Sequence, residues 1–586
     1  MINEILHRNT NNNLSCEFEI NNESVSDPVV IAQSFNDYYV NVGANLAESI
    51  NNNTNNDDNN LSFVDFMGDR LESELIFQSV SVDDIISIVK DMKNSSAGSD
   101  DVPASMVKQV INYIAEPLCH ICNCSLLGGV FPSGMKIAKV LPIYKKENKR
   151  NLKNYRPISL LPCFSKIIEK VINIQLMQYL ELNDIFDNKQ FGFRPNRSTT
   201  AATLCLTDFI LDAFDKKEFV IGAFLDLTKA FETVDHPILL QKLHHIGIRN
   251  TSLDLFKSYL FNRQQYVEYK NSNSDLKTIK YSVPQGSILG PVLFLIYIND
   301  ISHSSHILKN VLFADDTCLY ASHSDLYSLI DSFNRELVTV NSWLKANKLS
   351  LNITKSTYII FSRRKKVPPD IPNIIIDNVI LKRSMDVNFL GINITHNLSW
   401  NLHIKYLTSK MNKMRGILYV VRQFLNLKSK KLIYYALIYS NLLYGNVIWG
   451  KAPKSTIKSL IIGQKKIIRA IMGVDSGYHT HDLFVELKIL KINEINIFNT
   501  SVFVFKSLNG MTIPLDYFNN NTNNNFNLRN ANTLRPPFVP SNQSQSSPRY
   551  YGCIIWNSLP QDILSISNIN TFKKKLREHL LSLYDA

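Results

Sequence analysis

Two stretches hold the residues with the clearest chemical potential. In Val311-Leu312-Phe313-Ala314-Asp315-Asp316-Thr317-Cys318-Leu319-Tyr320, adjacent aspartates interrupt two apolar, β-prone runs. Such a break predicts a tight hairpin whose tip carries two carboxylates. Carboxylates crowded together repel unless a cation neutralises them, and hard oxygen ligands suit Mg²⁺. A surface Asp-Asp turn is the plainer alternative, and acidic turns are common. The second stretch lies 89 residues earlier, where the apolar run Phe219 to Leu225 ends in Asp226. An unbroken run of this kind predicts a buried strand, with a helix starting near Thr228. A lone carboxylate closing a core strand needs water, a donor or a metal. If the strand lies beside the hairpin, Asp226, Asp315 and Asp316 converge. Together they form the minimal ligand set for two-metal phosphoryl transfer.

Four motifs then carry a family resemblance. Phe224 to His236 resembles the first palm motif of reverse transcriptases from non-LTR (LINE-type) retrotransposons. Phe313-Ala314-Asp315-Asp316 resembles their metal-binding hairpin, and Ser282 to Pro291 the motif between the two. Asn154 to Leu161 is similar to a fingers motif. The resemblance spans at least residues 90–400. Glu232 departs from it, standing where relatives often carry Asp, and is expected to be neutral.

The resemblance implies an α+β, right-hand polymerase fold: fingers, a palm with an RRM-like antiparallel sheet, and a helical thumb. It implies an RNA-directed DNA polymerase that extends a DNA primer on an RNA template, taking dNTPs and two Mg²⁺ ions, with Mn²⁺ as the substitute. Asp226, Leu227, Asp315 and Asp316 would hold the metal. Lys145, Arg156, Phe231, Gln285, Gly286 and Lys355 would face the nucleotide. Arg156 suits phosphate because its guanidinium forks onto two oxygens. Phe231 would act as a plate beneath the sugar, and Lys355 as a proton donor to pyrophosphate. Template and primer contacts would come from Arg194 and Arg197, in the loop Gln190 to Thr199, and from Gly391. The expected divisions are an N-terminal extension with an Asn-rich linker (1–80), fingers and palm (81–400), thumb (401–475) and a C-terminal region of no assigned role (476–586). No nuclease constellation fits upstream, so a polymerase without an endonuclease is expected. The alternatives are an RNA-dependent RNA polymerase and a decayed RNA-binding remnant.

Composition agrees with a polyanionic partner. Of 586 residues, 63 are Lys or Arg and 51 Asp or Glu, for a net charge of +12. Between Met135 and Lys170 ten basic residues face two acidic ones. Lys410, Lys413, Arg415 and Arg422 fall on polar helix faces suited to clasping a duplex. Eight scattered cysteines and an N-terminus lacking an apolar stretch point to an intracellular protein, nuclear or cytoplasmic. No apolar run approaches the roughly 18 residues of a membrane span. Cys119-His120-Ile121-Cys122-Asn123-Cys124 has poor spacing for zinc and predicts a core helix. Arg363 to Lys366 is a basic run that nuclear import or simple solvation would explain.

Overall fold

The computed structural model describes residues 17–52, 61–363, 367–512, 517–518 and 533–584. Most of the Asn51–Asn60 tract, the Asn519–Asn527 tract and residues 364–366 of the basic run lie outside them.

A five-stranded sheet organises the centre. Its order is Lys382–Arg383, Thr357–Phe361, Phe219–Leu225, Asp316–His323 and Lys309–Phe313. Every residue of Phe219–Leu225 is buried, as its unbroken apolar run requires. Successive side chains of a strand point to opposite faces, and two separate cores result. Ile221, Ala223 and Leu225 join the core built with helices Cys163–Leu182, Leu289–Ile298 and Leu326–Ala346. Val220 and Phe224 join the core on the other face, with helix Thr199–Asp215 and the hairpin Asp386–Phe389/Ile392–Thr395. The fold is thus a mixed helix-and-sheet architecture, as expected.

A second sheet is built on Ile137–Tyr144. This strand runs antiparallel to Tyr155–Leu160 and parallel to Gln264–Tyr269. Helix Pro28–Asn52 covers it through Ile31, Phe35 and Tyr39. The helix is fixed by Asn36, wholly buried, whose amide donates to the Asp275 carbonyl (2.8 Å) and accepts from Gln265 (3.0 Å). The Cys119–Cys124 segment lies inside helix Ala104–Gly128, where Cys119 and Cys122 pack in the core.

The expected helix start at Thr228 is not observed. Residues 228–233 form successive turns, and the helix begins at His236. The reason is a nonlocal bond: the Thr228 N–H donates to the Ser350 carbonyl (2.8 Å), which holds the chain to a neighbouring segment.

Beyond residue 400 the elements among the described residues are helices. Asn401–Val421, Lys454–Met472, Ile492–Leu508, Pro548–Asn557 and Ile569–Ser582 share one core containing Leu407, Leu460, Phe505 and Phe572. Phe505 and Phe572 stack with centroids 4.4 Å apart. A single core therefore crosses position 475. Phe572 is fully buried, and Phe572→Ala should cost about 3–5 kcal/mol in urea unfolding, with faster proteolysis of Ile492–Leu508. A loss below about 1 kcal/mol would mean that the C-terminal helices do not support the rest.

Candidate active site

The site forms at one end of the central sheet. Thr317 pairs with Leu225, so the next step of the register sets Asp316 opposite Asp226. Backbone bonds fix Asp226 on both sides: its N–H donates to Ser356 Oγ (3.1 Å) and its carbonyl accepts from the Asn352 N–H (2.8 Å). Leu227 forms a bridge with Leu351 whose hydrogen bonds are made by its neighbours. The geometry leaves the Leu227 carbonyl outside that pairing.

Phe313 pairs with Asp316, so Ala314-Asp315 is a two-residue turn. Ala314 has φ +54°, a left-handed conformation favouring glycine at this place in a hairpin. A non-glycine residue there is strained and must be held by its surroundings. Gln190 holds it. Its side-chain oxygen accepts from the Ala314 N–H (3.1 Å) and the Gly192 N–H (2.9 Å). Gly192 is required by close approach, because a Cβ there would lie 2.4 Å from the Ala314 nitrogen.

All three carboxylates line one cleft of about 660 Å³. Burial, followed by the charges of Asp315 and Asp226, pushes the Asp316 carboxyl up to about 6. Burial also raises Asp315, and the Asp226 charge adds to it, whereas Arg156 and Lys145 oppose the rise. Lys145 is lowered by burial and then by the Arg156 and Lys355 charges. The cleft thus holds a cluster of carboxylates and a cluster of cations that act on one another's charge.

Neither His nor Cys lines this cleft, so its donors are hard oxygens that fit Mg²⁺ or Mn²⁺ rather than zinc. Among the described residues, no three His, Cys, Asp or Glu side chains are grouped to hold an ion unaided. Mg²⁺ is ordinarily held by one or two carboxylates together with substrate phosphates, so the donor set still fits.

The remaining cleft residues come from both sheets. Strand Tyr155–Leu160 alternates buried and exposed, which turns Arg156 into the cleft while Tyr155 and Pro157 pack inward. The Ser159 N–H donates to the Gln285 carbonyl (2.7 Å) and ties the Pro284-Gln285-Gly286 loop to this strand. Gly286 has φ +126°, and a Cβ there would lie 2.4 Å from the Ser159 oxygen. Phe231 stacks on Phe294 at 4.4 Å. Lys145 and Lys355 also line the cleft.

Arg194, Arg197 and Gly391 do not line it. Arg194 is buried, and its guanidinium forks onto Glu181 (3.0 and 2.7 Å). This corrects the expected template contact, because the side chain braces its own loop. Arg197 donates to the Asn188 carbonyl and lies over the Phe191 ring. Gly391 forms the turn of the hairpin Asp386–Thr395 with Leu390, whose carbonyl accepts from the Tyr444 hydroxyl (2.6 Å).

Several contributors escaped the sequence reading. Glu232 is buried and accepts from the Gln285 amide (3.0 Å). Glu169, wholly buried, accepts from the Ile288 and Leu289 N–H groups (2.7 and 3.2 Å), where helix Leu289–Ile298 follows the Gly286 loop. The visible signal was an acid amid the apolar residues of Ile167 to Leu180. Phe193, whose loop was already expected to meet the template, is 53% exposed and sits edge-on to Phe231 at 6.4 Å. Gln190 gave no periodic or motif signal of its role.

The comparisons with known proteins agree with this geometry. Residues 143–394 match the family described as reverse transcriptase (RNA-dependent DNA polymerase). The chain is 26% identical over 443 residues to the RNA-directed DNA polymerase from mobile element jockey of Drosophila melanogaster, covering 73% of this chain and 48% of that protein. It is 30% identical over 414 residues to the probable RNA-directed DNA polymerase from transposon BS of the same species, covering 68% and 45%. A third relative, the probable RNA-directed DNA polymerase from transposon X-element, is 28% identical, covering 70% and 46%. The chain spans about half the length of these curated relatives. Residues 143–394 thus match a reverse transcriptase domain, and the chain is homologous to the RNA-directed DNA polymerases of these Drosophila non-LTR retrotransposons.

Proposed function

We propose that the protein is an RNA-directed DNA polymerase that extends a DNA primer on an RNA template. The observation that carries this reading is the cleft itself: Asp226 and Asp316 opposed in register, Asp315 beside them, and Lys145 and Arg156 lining the same cleft. In this reading the central sheet is an RRM-like palm and the Ile137–Tyr144 sheet the fingers. The thumb begins at residue 401, and its core continues through the C-terminal helices. Helix Pro28–Asn52 is then a brace on the fingers rather than a free extension.

Asp226, Asp315, Asp316 and the Leu227 carbonyl would hold divalent cations. Bound there, the cations would neutralise charge developing on the attacking and leaving oxygens. The chain's own groups do the positioning. Lys145 and the forked Arg156 would grip the triphosphate. Gly286 lets the backbone approach the nucleotide closely, and Gln285, steadied by Glu232, presents a carboxamide near the ribose. Lys355 would protonate the departing pyrophosphate. Arg197 and the exposed Phe193 would meet the template, and the Leu390-Gly391 turn the primer.

Phe231 favours DNA synthesis over RNA synthesis. The Phe294 stack fixes its ring, and the ring offers no donor or acceptor to a 2′-hydroxyl. A buried unpaired hydroxyl costs about 1–3 kcal/mol.

Primer extension on poly(rA)–oligo(dT) with Mg²⁺ is the direct test, and dTTP incorporation is expected. Asp226→Ala and Asp315→Ala should each abolish it, by about a thousandfold or more, while leaving the fold and RNA binding near wild type. Retained extension by Asp315→Ala would overturn the site. Phe231→Val should raise relative ribonucleotide incorporation about tenfold, read as single-nucleotide kcat/KM for rNTP against dNTP. An unchanged ratio would remove Phe231 from sugar selection and favour RNA polymerisation.

A further inference from the structure

A sizeable cavity lies away from the carboxylates. It has a volume of about 830 Å³ and opens between the segment Asn397–Asn401, the turn at Lys451 and helix Pro548–Asn557. Its rim includes Arg363, two residues past the strand end Phe361. Phe361 pairs with Val220, whereas Thr357 pairs with Phe224 beside Asp226. The cavity is therefore at the opposite end of the central sheet, about 20 Å from the carboxylates at roughly 3.3 Å per residue.

A second groove, of about 630 Å³, continues from it along helix Asn401–Val421. Asn401 and Thr456 line both and hydrogen-bond to one another (3.1 Å), so the two grooves adjoin and lie along one track. Its cations are Arg363, Lys451, Lys405 and Lys413, and no Asp or Glu lines either part, in a chain with 51 acidic residues. Arg363 has a long contact to Asp215 (3.7 Å) behind the rim. Trp400, Tyr550 and Tyr551 supply aromatic faces, and Lys451 sits over the Tyr551 ring at 3.9 Å. The other polar lining is amide and hydroxyl. Across the floor, Gln543 donates to the Asn397 carbonyl at 3.1 Å.

Cations without carboxylates select a polyanion. Aromatic faces stack bases, and amides and hydroxyls read base edges and 2′-hydroxyls. Stacking on these aromatic faces requires bases that are not already stacked and paired, which favours a single strand. We propose that this track is a second nucleic-acid site, which binds an unpaired segment of RNA separately from the template and primer in the cleft. Such a site would keep the polymerase attached to RNA outside the copied region.

The test uses the full chain preloaded with a saturating short oligo(rA)–oligo(dT) duplex. The probe is a fluorescein-labelled oligo(rC) of about 12 nucleotides, which cannot pair with that duplex. Preloaded wild type is expected to bind the probe and, on ultraviolet irradiation, to form adducts at Trp400, Tyr550 or Tyr551. Tyr551→Ala and the exposed double variant Lys405→Glu/Lys451→Glu should each weaken binding about tenfold. The double variant should also flatten the log affinity–log salt slope by more than one unit. Extension of the short duplex should stay at the wild-type level. The proposal fails if preloaded protein does not bind the probe, if the double variant binds it like wild type, if adducts map only to the cleft, or if duplex RNA or an acidic peptide competes as well as unlabelled oligo(rC). Probe binding without any primer extension would sink the polymerase reading and leave the track standing.

Discussion

Three carboxylates crowded at one end of a buried sheet set the terms for the surrounding structure. Partial desolvation in the cleft, with repulsion between neighbouring carboxylates, makes Asp315 and Asp316 costly to ionise although Asp316 keeps contact with solvent. What holds the hairpin tip is backbone geometry. The Asp226 strand is paired on both sides. The turn at Ala314 adopts a conformation that its residue type disfavours, and Gln190 braces it from behind. The bracing loop is fixed in turn by Arg194 on Glu181. Electrostatic cost at the tip is thus offset by hydrogen bonds that do not themselves touch a substrate.

The same economy links the two sheets. Ser159 to Gln285, Gln285 to Glu232 and Glu169 to the start of helix Leu289–Ile298 connect the strand of Arg156 to the segment of Phe231. The cations and carboxylates of the cleft are consequently tied together by hydrogen bonds among the chain's own residues. A triphosphate with divalent cations is the kind of substrate whose charge distribution complements both groups at once.

Elements with a strong local signal were legible in the sequence. Phe219–Leu225 declared itself by an unbroken apolar run, and Leu326–Ala346 by apolar residues at helical spacing. Ten of the thirteen candidate residues meet in one cleft because the motifs that carry them are short, contiguous segments. What was not legible depends on distant partners. Thr228 looks like a helix start until Ser350 binds its N–H. Arg194 looks like a phosphate contact until Glu181, thirteen residues earlier, takes its guanidinium. The shared core across residue 475 rests on pairs such as Phe505 and Phe572, which no local pattern brings together.

The carbonyl and carboxyl groups at the tip are held together at an electrostatic cost. Urea unfolding of Asp316→Asn against wild type, in metal-free buffer from pH 3.5 to 7.5, tests it most directly. Because the folded-state value of Asp316 is raised to about 6, from about 3.9 in the unfolded chain, wild type should lose stability as pH rises through this window. The asparagine variant avoids that loss. It should match wild type near pH 3.5 and exceed it at pH 7.5 by about 1 kcal/mol, a figure reduced for the side chain's exposure to solvent in the cleft. Equal stability at both pH values, or a variant less stable at pH 7.5, would contradict the account.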